Sequence, residues 1–333
     1  MAIFKLEKDM YKQARLKGQT FSELLADAAP SQMETHDAFE FQLHERDINL
    51  KKDTVERFYR TTEDAILFPE FINRNIRIGL AGLTGLDLSL DDIVATTTTI
   101  DSGVYDSVNA AFVNKDLDFK RVGEGAQFPT VTITTSKNSI RLAKLGVKLE
   151  STYEVLRRMK LPLLAIHIQL IGQRIAKKNV AYAMHNIING DGNNNAAPAT
   201  NAAALSYAGL FKHYLSMDEF TGTVMAARSS DMESIFNLDE FKNAQLFDTA
   251  KTGNLPTPFG LPLKRFNWTE TALGTKLVPI IAKNAALEMI KESGAELIET
   301  DKVIEKQIEN TVISNVIGFS RIFTNAAKVY TIQ

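Results

Sequence analysis

Cysteine is absent from the 333-residue sequence. Disulfides, iron–sulfur clusters, thiolate nucleophiles and cysteine-rich zinc sites are therefore excluded, because each of them needs thiol groups. Long apolar runs are missing as well, since none approaches the roughly 18 residues that a membrane-spanning helix requires. We therefore expect a chain without membrane spans, whose stability comes from packing and from association.

A large excess of charge of either sign is also lacking. The 38 Lys and Arg residues nearly balance the 40 Asp and Glu residues, which leaves a formal net charge of −2. This balance argues against a protein whose main task is to coat nucleic acid by neutralising phosphates. Residues 1–11 mix charged and apolar side chains and lack the apolar core of a secretory signal, so we expect synthesis in the cytoplasm.

Motifs for catalysis and ligand binding begin in several places, but none is complete. Residues 318–321 start like a nucleophile elbow, yet Ile322 stands where the second glycine is needed. Residues 191–195 resemble the start of a calcium-binding loop, yet Ala196 replaces the glycine that makes the turn. The five histidines include no i, i+4 pair. We therefore expect no catalytic residue, no bound cofactor and no metal site.

The first 60 residues are rich in charge and sparse in large apolar side chains. Ten basic and 11 acidic residues separate widely spaced apolar residues such as Phe4, Phe21 and Leu25. This spacing predicts short amphipathic helices on an extended arm with too little apolar surface for a core of its own, and the alternative is a frayed terminus. From Ala65 the chain turns apolar, and glycines from Gly79 onwards are expected to end any helix there.

Residues 112–150 predict a long two-stranded excursion. Val131 and Ile133 alternate with threonines, the polar residues 135–139 are expected to turn the chain, and Ile140 begins a returning strand. At about 3.3 Å per residue, strands of about 15 residues would each extend about 45 Å, which is long for the core of one subunit. We therefore expect support from outside the subunit.

The strongest helical pattern lies near the middle of the chain. Residues 152–159 predict a short helix, and residues 163–188 predict a helix of about 39 Å that begins just after Pro162. Gly190 is expected to cap its end. An Asn- and Ala-rich loop at 191–204 follows.

Beyond this loop the pattern mixes helix and strand. Residues 223–227 and 277–282 predict strands, and residues 257–262 predict a turn before another strand. β-branched residues dominate from about residue 294 to residue 332, so the chain is expected to end in strands.

The order of these elements resembles the major capsid proteins of tailed bacteriophages of the Hong Kong 97 type. The resemblance covers about residues 110–333. Its most specific parts are the helix ending Ile188-Asn189-Gly190-Asp191-Gly192 and the turn Phe259-Gly260-Leu261-Pro262. It implies an α+β capsid fold and a structural protein, not an enzyme, that assembles as pentamers and hexamers into the icosahedral head around phage DNA. It also implies that neighbouring copies complete the packing of the N-terminal arm and of the hairpin.

The resemblance also implies a division of the chain into named parts. These are an N-terminal arm at 1–60, an arm-to-body connection and the start of the P domain at 61–111, the E-loop hairpin at 112–150, the short helix, spine helix and loop of the P domain at 151–204, the A domain at 205–283, and the return to the P domain with the terminal strands at 284–333.

The implied partners are further copies of the chain, a portal, a possible decoration protein and packaged double-stranded DNA contacted non-specifically, without a membrane. A separate scaffolding protein is expected, because the residues before the apolar onset are too few for a cleaved scaffolding segment. The implied location is the virion, after assembly in the host cytoplasm. Two alternatives remain: an encapsulin-like cellular nanocompartment shell, against which residues 1–60 argue, and an enzyme with a mixed domain at 205–333, which no motif supports.

Two patches of opposite charge are candidate contacts between subunits. Residues 114–148 carry four more positive than negative charges, and residues 287–309 carry four more negative than positive charges. By the family resemblance the hairpin lies across the P domain of an adjacent subunit, where the patches would face each other. The candidate contact residues are Lys115, Lys120, Arg121, Lys137, Arg141, Lys144 and Lys148 on the hairpin, and Glu288, Glu292, Glu296 and Glu299 on the acidic segment.

Overall fold

The structure is a computed structural model that describes residues 4–83, 85–109, 124, 134–241, 257–266, 277–293, 297–303, 305 and 308–332. The α-helices are α1 (Asp9–Leu16), α2 (Phe21–Ala28), α3 (Ala38–Glu45), α4 (Thr62–Ala81), α5 (Tyr153–Arg158), α6 (Leu161–Asn189), α7 (Tyr207–Leu215), α8 (Ser229–Phe236) and α9 (Lys283–Ala286). Short 3-10 helices span Val55–Tyr59, Leu90–Asp92, Pro258–Gly260 and Thr324–Ala326.

The strands are distributed along the chain from residue 94 onwards. They are β1 (Val94–Ile100), β2 (Val104–Tyr105), β3 (Val108–Asn109), β4 (Thr134–Thr135), β5 (Ile140–Arg141), β6 (Ala143–Thr152), β7 (Ala199–Ala202), β8 (Val224–Ala227), β9 (Leu263–Arg265), β10 (Leu277–Ile281), β11 (Leu287–Glu292), β12 (Leu297–Val303), β13 (Ile308–Arg321) and β14 (Ala327–Ile332).

The chain divides into two compact units. The first comprises Met1–Gly82, Lys144–Ile175 and Glu292–Val316. The second comprises Leu83–Ala143, Ala176–Lys291 and Ile317–Gln333. Both α6 and β13 therefore contribute one part to each unit.

The N-terminal helices pack into the core of the first unit. Leu6, Leu25 and Phe58 are at most 2% exposed, and they share one cluster with apolar residues of α4 and of the first half of α6. Tyr11 stacks on Phe21 with ring centroids 4.2 Å apart. The segment buries its apolar residues within its own chain, so the expectation that neighbouring copies complete this packing is wrong.

The prediction failed because charged residues separate the apolar ones and make the segment look unpacked in sequence. Thr20 and Glu23 form a capping box at the start of α2, where the side chain of each accepts a hydrogen bond from the backbone N–H of the other. Arg46 forms ion pairs with Glu63 and Asp64 at 3.3 and 3.4 Å, and its side chain is only 4% exposed. The charged residues therefore cap the start of α2 and link the end of α3 to α4. Their number does not indicate an unpacked segment.

Helices α4 and α6 approach closely where both carry glycine. A Cβ atom on Gly172 would lie 2.5 Å from the carbonyl oxygen of Ile76, and one on Gly79 would clash with the carbonyl oxygen of Gln169. The prediction that Gly79 ends a helix is therefore wrong. Gly79 lies inside α4 because the neighbouring backbone leaves no room for a side chain, and the C-cap is Gly82.

Strand β13 takes part in pairing in both units. In the first unit β12 runs antiparallel to it, with Leu297 opposite Ser314, and β6 also pairs with it. In the second unit β11 runs antiparallel to its later residues, with Leu287 opposite Arg321, and β1 lies next to β11.

A second sheet lies within the second unit, in the order β7-β14-β10-β8-β9. β7 is parallel to β14 and β9 is parallel to β8, while the pairs around β10 are antiparallel. Its core includes Met225, Ile280 and Tyr330 from the sheet and Leu210 from α7.

Several predictions from local pattern are confirmed. These include the long helix α6, the strands β8 and β10, the turn before β9, the terminal strands and the α+β class. In the part of the chain that is described, no helix is long and apolar enough to cross a membrane.

Candidate functional site: the hairpin stem

Two short ladders pair an outgoing segment, β2 and β3, with a returning segment, β4 and β5, and these four strands are here called the hairpin stem. Of the excursion predicted at 112–150, residues 112–123 and 125–133 lie outside the described residues. Val104 pairs with Arg141, and Val108 pairs with Thr135. β4 and β5 thus pair with the same outgoing segment, so residues 136–139 form an irregular insert in the returning strand. The prediction of a turn between two paired strands at 135–139 is wrong, and the predicted strand around residues 131–133 lies outside the described residues.

Side chains fasten the stem to the body of the second unit. Tyr105 Oη donates to both carboxylate oxygens of Glu288, at 3.1 and 3.2 Å, and Thr98 Oγ1 donates to the same carboxylate. Burial and the adjacent carboxylate raise the pKa of Tyr105, so the phenol stays protonated and keeps donating. Across the stem, Ser107 Oγ donates to Ser136 Oγ at 2.8 Å.

A second attachment joins the irregular insert to the Asn-rich loop after α6. The backbone N–H of Asn138 donates to Asn193 Oδ1 at 2.8 Å, and its side-chain amide donates to the Gly192 carbonyl at 2.9 Å. Asn193 Nδ2 returns a hydrogen bond to the Asn138 carbonyl at 3.1 Å. The carboxylate of Asp191 fixes the loop in turn, since it accepts from the backbone N–H groups of Asn193 and Arg321.

The Asn-rich loop is therefore a docking element for the hairpin, which the sequence does not predict. Gly190, Gly192 and Asn194 have φ values of 84°, 97° and 55°, a left-handed conformation that glycine and asparagine adopt most readily. The Asn and Gly content that resembles a flexible linker is the only local signal of this fixed shape. Its partner Asn138 lies 55 residues away from Asn193, so no local pattern reveals the contact.

Four of the predicted basic contact residues lie in the described part of the chain. Lys137, Arg141, Lys144 and Lys148 are all exposed, and Lys148 lies 2.5 Å from Glu150 of its own strand. Lys115, Lys120 and Arg121 lie outside the described residues. The exposed cations have the accessibility that a contact between subunits requires.

The predicted acidic residues are less uniform. Glu288 and Glu292 in β11 are half-buried, and Glu288 is already engaged by the stem of its own subunit. Glu299 lies in β12 opposite Val312, while Glu296 lies outside the described residues. Pairing of the two charged patches between subunits stays a prediction. Among the described side chains, no three His, Asp or Glu residues are grouped so that they could hold a metal ion.

No family model matches the sequence, and no curated protein matches it. Solved structures do match. The capsid of a native GTA particle aligns with a TM-score of 0.52 and 12% identity, over 75% of this chain and 92% of that one. The structure from Microbacterium phage Oxtober96 aligns with a TM-score of 0.51 and 11% identity, over 75% and 92%. The holo-SrpI encapsulin of Synechococcus elongatus PCC 7942 aligns with a TM-score of 0.47 and 10% identity, over 71% and 84%. The chain has the capsid fold of the Hong Kong 97 type.

Proposed function

We propose that this chain is the major capsid protein of a tailed bacteriophage. It assembles with further copies as pentamers and hexamers into the icosahedral head that encloses double-stranded DNA. The observation that carries the proposal is the capsid fold, which extends over 75% of the chain and spans 92% of the GTA capsid subunit.

The hairpin supports this proposal independently of the fold. Its stem rests on pairs of two-residue strands, on a few polar contacts and on one buried apolar side chain, Ile140, while Val104 at its base is 47% exposed. Such short pairing is marginal on its own. We infer that the hairpin is the E-loop of the family and that an adjacent subunit supports it.

The remaining parts follow from the same proposal. Residues 1–60 are the N-terminal arm, α5 and α6 are the short helix and spine helix of the P domain, and residues 205–283 are the A domain. The partners are copies of the chain, a separate scaffolding protein, a portal, a possible decoration protein and the packaged DNA. The location is the virion.

Electron microscopy and sedimentation of the purified chain, with and without a co-expressed scaffolding protein, test the proposal. Closed shells or rings of pentamers and hexamers are expected. A stable monomer at high concentration under both conditions would overturn it. Shells that enclose an enzyme and no nuclease-protected DNA would instead identify a nanocompartment.

A deletion variant tests the hairpin. Replacing residues 110–133 with a short Gly/Ser linker keeps the stem and its contacts with Glu288 and Asn193. The variant should show the circular dichroism and melting temperature of the parent but should fail to form shells. Normal assembly of the variant would contradict the role of the hairpin.

A further inference from the structure

The insert at 136–139 contacts the body of the second unit through polar groups. The residues from 137 to 139 are all exposed. Asn138 makes three hydrogen bonds with Gly192 and Asn193, and these three residues are here called the clasp. The clasp joins the insert to the loop after α6.

The side chain of Asn193 takes the place of a strand partner for Asn138. Its Oδ1 atom accepts from the backbone N–H of Asn138 at 2.8 Å, and its Nδ2 atom donates to the backbone carbonyl of the same residue at 3.1 Å. A neighbouring strand satisfies the backbone groups of a residue in the same way. An amide is needed at position 193, because a carboxylate accepts hydrogen bonds but cannot donate one.

The loop after α6 presents Asn193 in a fixed orientation. Asp191 Oδ1 accepts from both the backbone N–H and the Nδ2 atom of Asn193, at 3.2 and 3.1 Å. Asp191 Oδ2 accepts from the backbone N–H of Arg321, and the backbone N–H of Asp191 donates to Asn195 Oδ1. Asn195 is buried, and a Cβ atom on Gly190 would lie 2.9 Å from its Oδ1 atom. The loop is therefore the fixed half of the clasp.

The insert is the half that can separate. The groups that the clasp joins can form hydrogen bonds to water when they part, so opening costs little free energy. The stem is paired on both sides of the insert without the clasp. Ser136 donates from its backbone N–H to the Ser107 carbonyl at 2.8 Å, and Leu142 donates to the Gly103 carbonyl at 3.1 Å. Opening of the clasp therefore does not require the neighbouring ladders to open.

We propose that the clasp is a strap that holds the insert on the loop after α6, and that it opens and closes while the loop and the ladders stay folded. The stem then has a docked and a released state. Since Lys137 directly precedes Asn138, the closed clasp also fixes the position of this exposed cation. The proposal rests on hydrogen bonds within the folded subunit and does not depend on the shell function.

Hydrogen exchange of single backbone amides measures the opening directly. The amide of Asn138 reports on the clasp, that of Leu142 on the adjacent ladder, and that of Arg321 on the loop. Exchange is followed on the unassembled full-length chain by mass spectrometry with fragmentation that resolves single amides. In the parent, Asn138 should exchange more slowly than an amide of an unstructured chain but faster than Leu142 and Arg321.

Asn193→Asp removes the donor from the clasp and keeps the size of the side chain. Its matched control is Asn194→Asp, which adds the same charge at an exposed position one residue later. Asn193→Ala removes the side-chain hydrogen bonds without adding charge. Both changes at position 193 should speed the exchange of Asn138 by at least about tenfold and leave Leu142 and Arg321 within about twofold of the parent. The control should leave all three amides as in the parent.

Four results would overturn the proposal. Exchange of Asn138 as slow as that of Leu142 and Arg321 in the parent would show that the insert does not open separately. Unchanged exchange of Asn138 in both variants at position 193 would show that the clasp does not hold the insert. Equal acceleration of all three amides would show that the insert leaves only when the unit unfolds. Equal acceleration by Asn193→Asp and Asn194→Asp, without an effect of Asn193→Ala, would show that charge and not the amide controls the insert.

Discussion

The N-terminal segment and the hairpin are both polar in sequence, and the sequence predicts that both depend on neighbouring copies. In the structure the two regions differ in how far they are buried. Leu25 and Phe58 in the N-terminal segment are completely buried in their own subunit, whereas the hairpin stem leaves Val104 and Arg141 exposed. A high density of charge therefore does not by itself indicate a segment that awaits a partner. The spacing of the apolar residues decides the outcome. Helical spacing gives the N-terminal segment continuous apolar faces that are buried, whereas the two-residue ladders of the stem bury Ile140 but leave Val104 exposed.

The largest expected effect breaks the packing of the N-terminal segment. Leu25→Ala should lower the free energy of unfolding by about 2–5 kcal/mol, since it leaves a cavity in the shared core. Leu16→Ala in α1 is the matched control, because Leu16 is 79% exposed, and it should change the free energy by less than about 0.5 kcal/mol. Urea unfolding followed by circular dichroism measures both. Equal effects would mean that the segment does not pack as described.

Acid should weaken the second unit, which carries the hairpin. His213 is fully buried against Tyr330, and burial together with the charge of Lys328 lowers its pKa from 6.5 to about 4. Between these two pH values the unfolded chain binds a proton that the folded chain excludes. The contribution of His213 to stability is therefore fully present above about pH 6.5 and falls by about 3 kcal/mol between there and about pH 4.

His213→Gln checks this assignment. The variant should be less stable at neutral pH, but its free energy of unfolding should fall less steeply between about pH 6.5 and about pH 4. Urea unfolding at intervals across this range provides the two slopes. The same slope in both proteins would show that another group controls the acid response.

Two glycine substitutions test the close approach of α4 and α6, the helices against which the N-terminal segment packs. Gly172→Ala should destabilise by about 1–3 kcal/mol, because its Cβ would lie 2.5 Å from the Ile76 carbonyl and the backbones must separate. In an open helix the same change would stabilise by about 0.5–1 kcal/mol. Gly103→Ala, just before the hairpin stem, is the control, since nothing lies within 4 Å of its added Cβ. A stabilising Gly172→Ala would contradict the close approach of α4 and α6.

The sequence pattern correctly predicts the elements whose conformation is determined by residues close to them in the chain. The apolar periodicity of α6, the left-handed Gly190 after it and the turn before β9 all follow from neighbouring residues. The same holds for the polar character of the stem, whose cations are exposed as their charge suggests.

The wrong predictions concern residues whose conformation depends on contacts with residues far away in the sequence. Gly79 lies inside a helix because Gly172, 93 positions later, brings another backbone close to it. Residues 136–139 look like a hairpin turn in sequence because the strands on either side, β4 and β5, both pair with a segment some 30 residues earlier. The attachment of Asn138 to Asn193 likewise spans 55 positions. No window of a few residues contains both members of such pairs.

The smallest effect on stability is expected for two exposed cations at the end of the hairpin stem, Arg141 in β5 and Lys144 in β6. Their effect on the rate of assembly tests the proposed contact between subunits. Arg141 and Lys144 are exposed, so reversing both to Glu should change the free energy of unfolding by less than about 0.5 kcal/mol. Assembly should nevertheless slow, because complementary charge acts mainly on the rate and register of encounter. The delay should shrink between about 50 mM and about 500 mM salt, where screening removes the contribution of these charges.

The matched control for this experiment lies in the N-terminal segment. Reversing the exposed Lys12 and Lys17 to Glu changes the net charge by the same amount, so any slowing beyond that of the control belongs to the stem. Reversing Glu296 and Glu299 to Lys in the slowed variant should restore the parental rate if the acidic segment of an adjacent subunit faces the stem. Light scattering follows assembly in all four proteins. If the control slows assembly as much as the stem variant, net charge is the cause. If the second reversal restores nothing, the two patches do not meet.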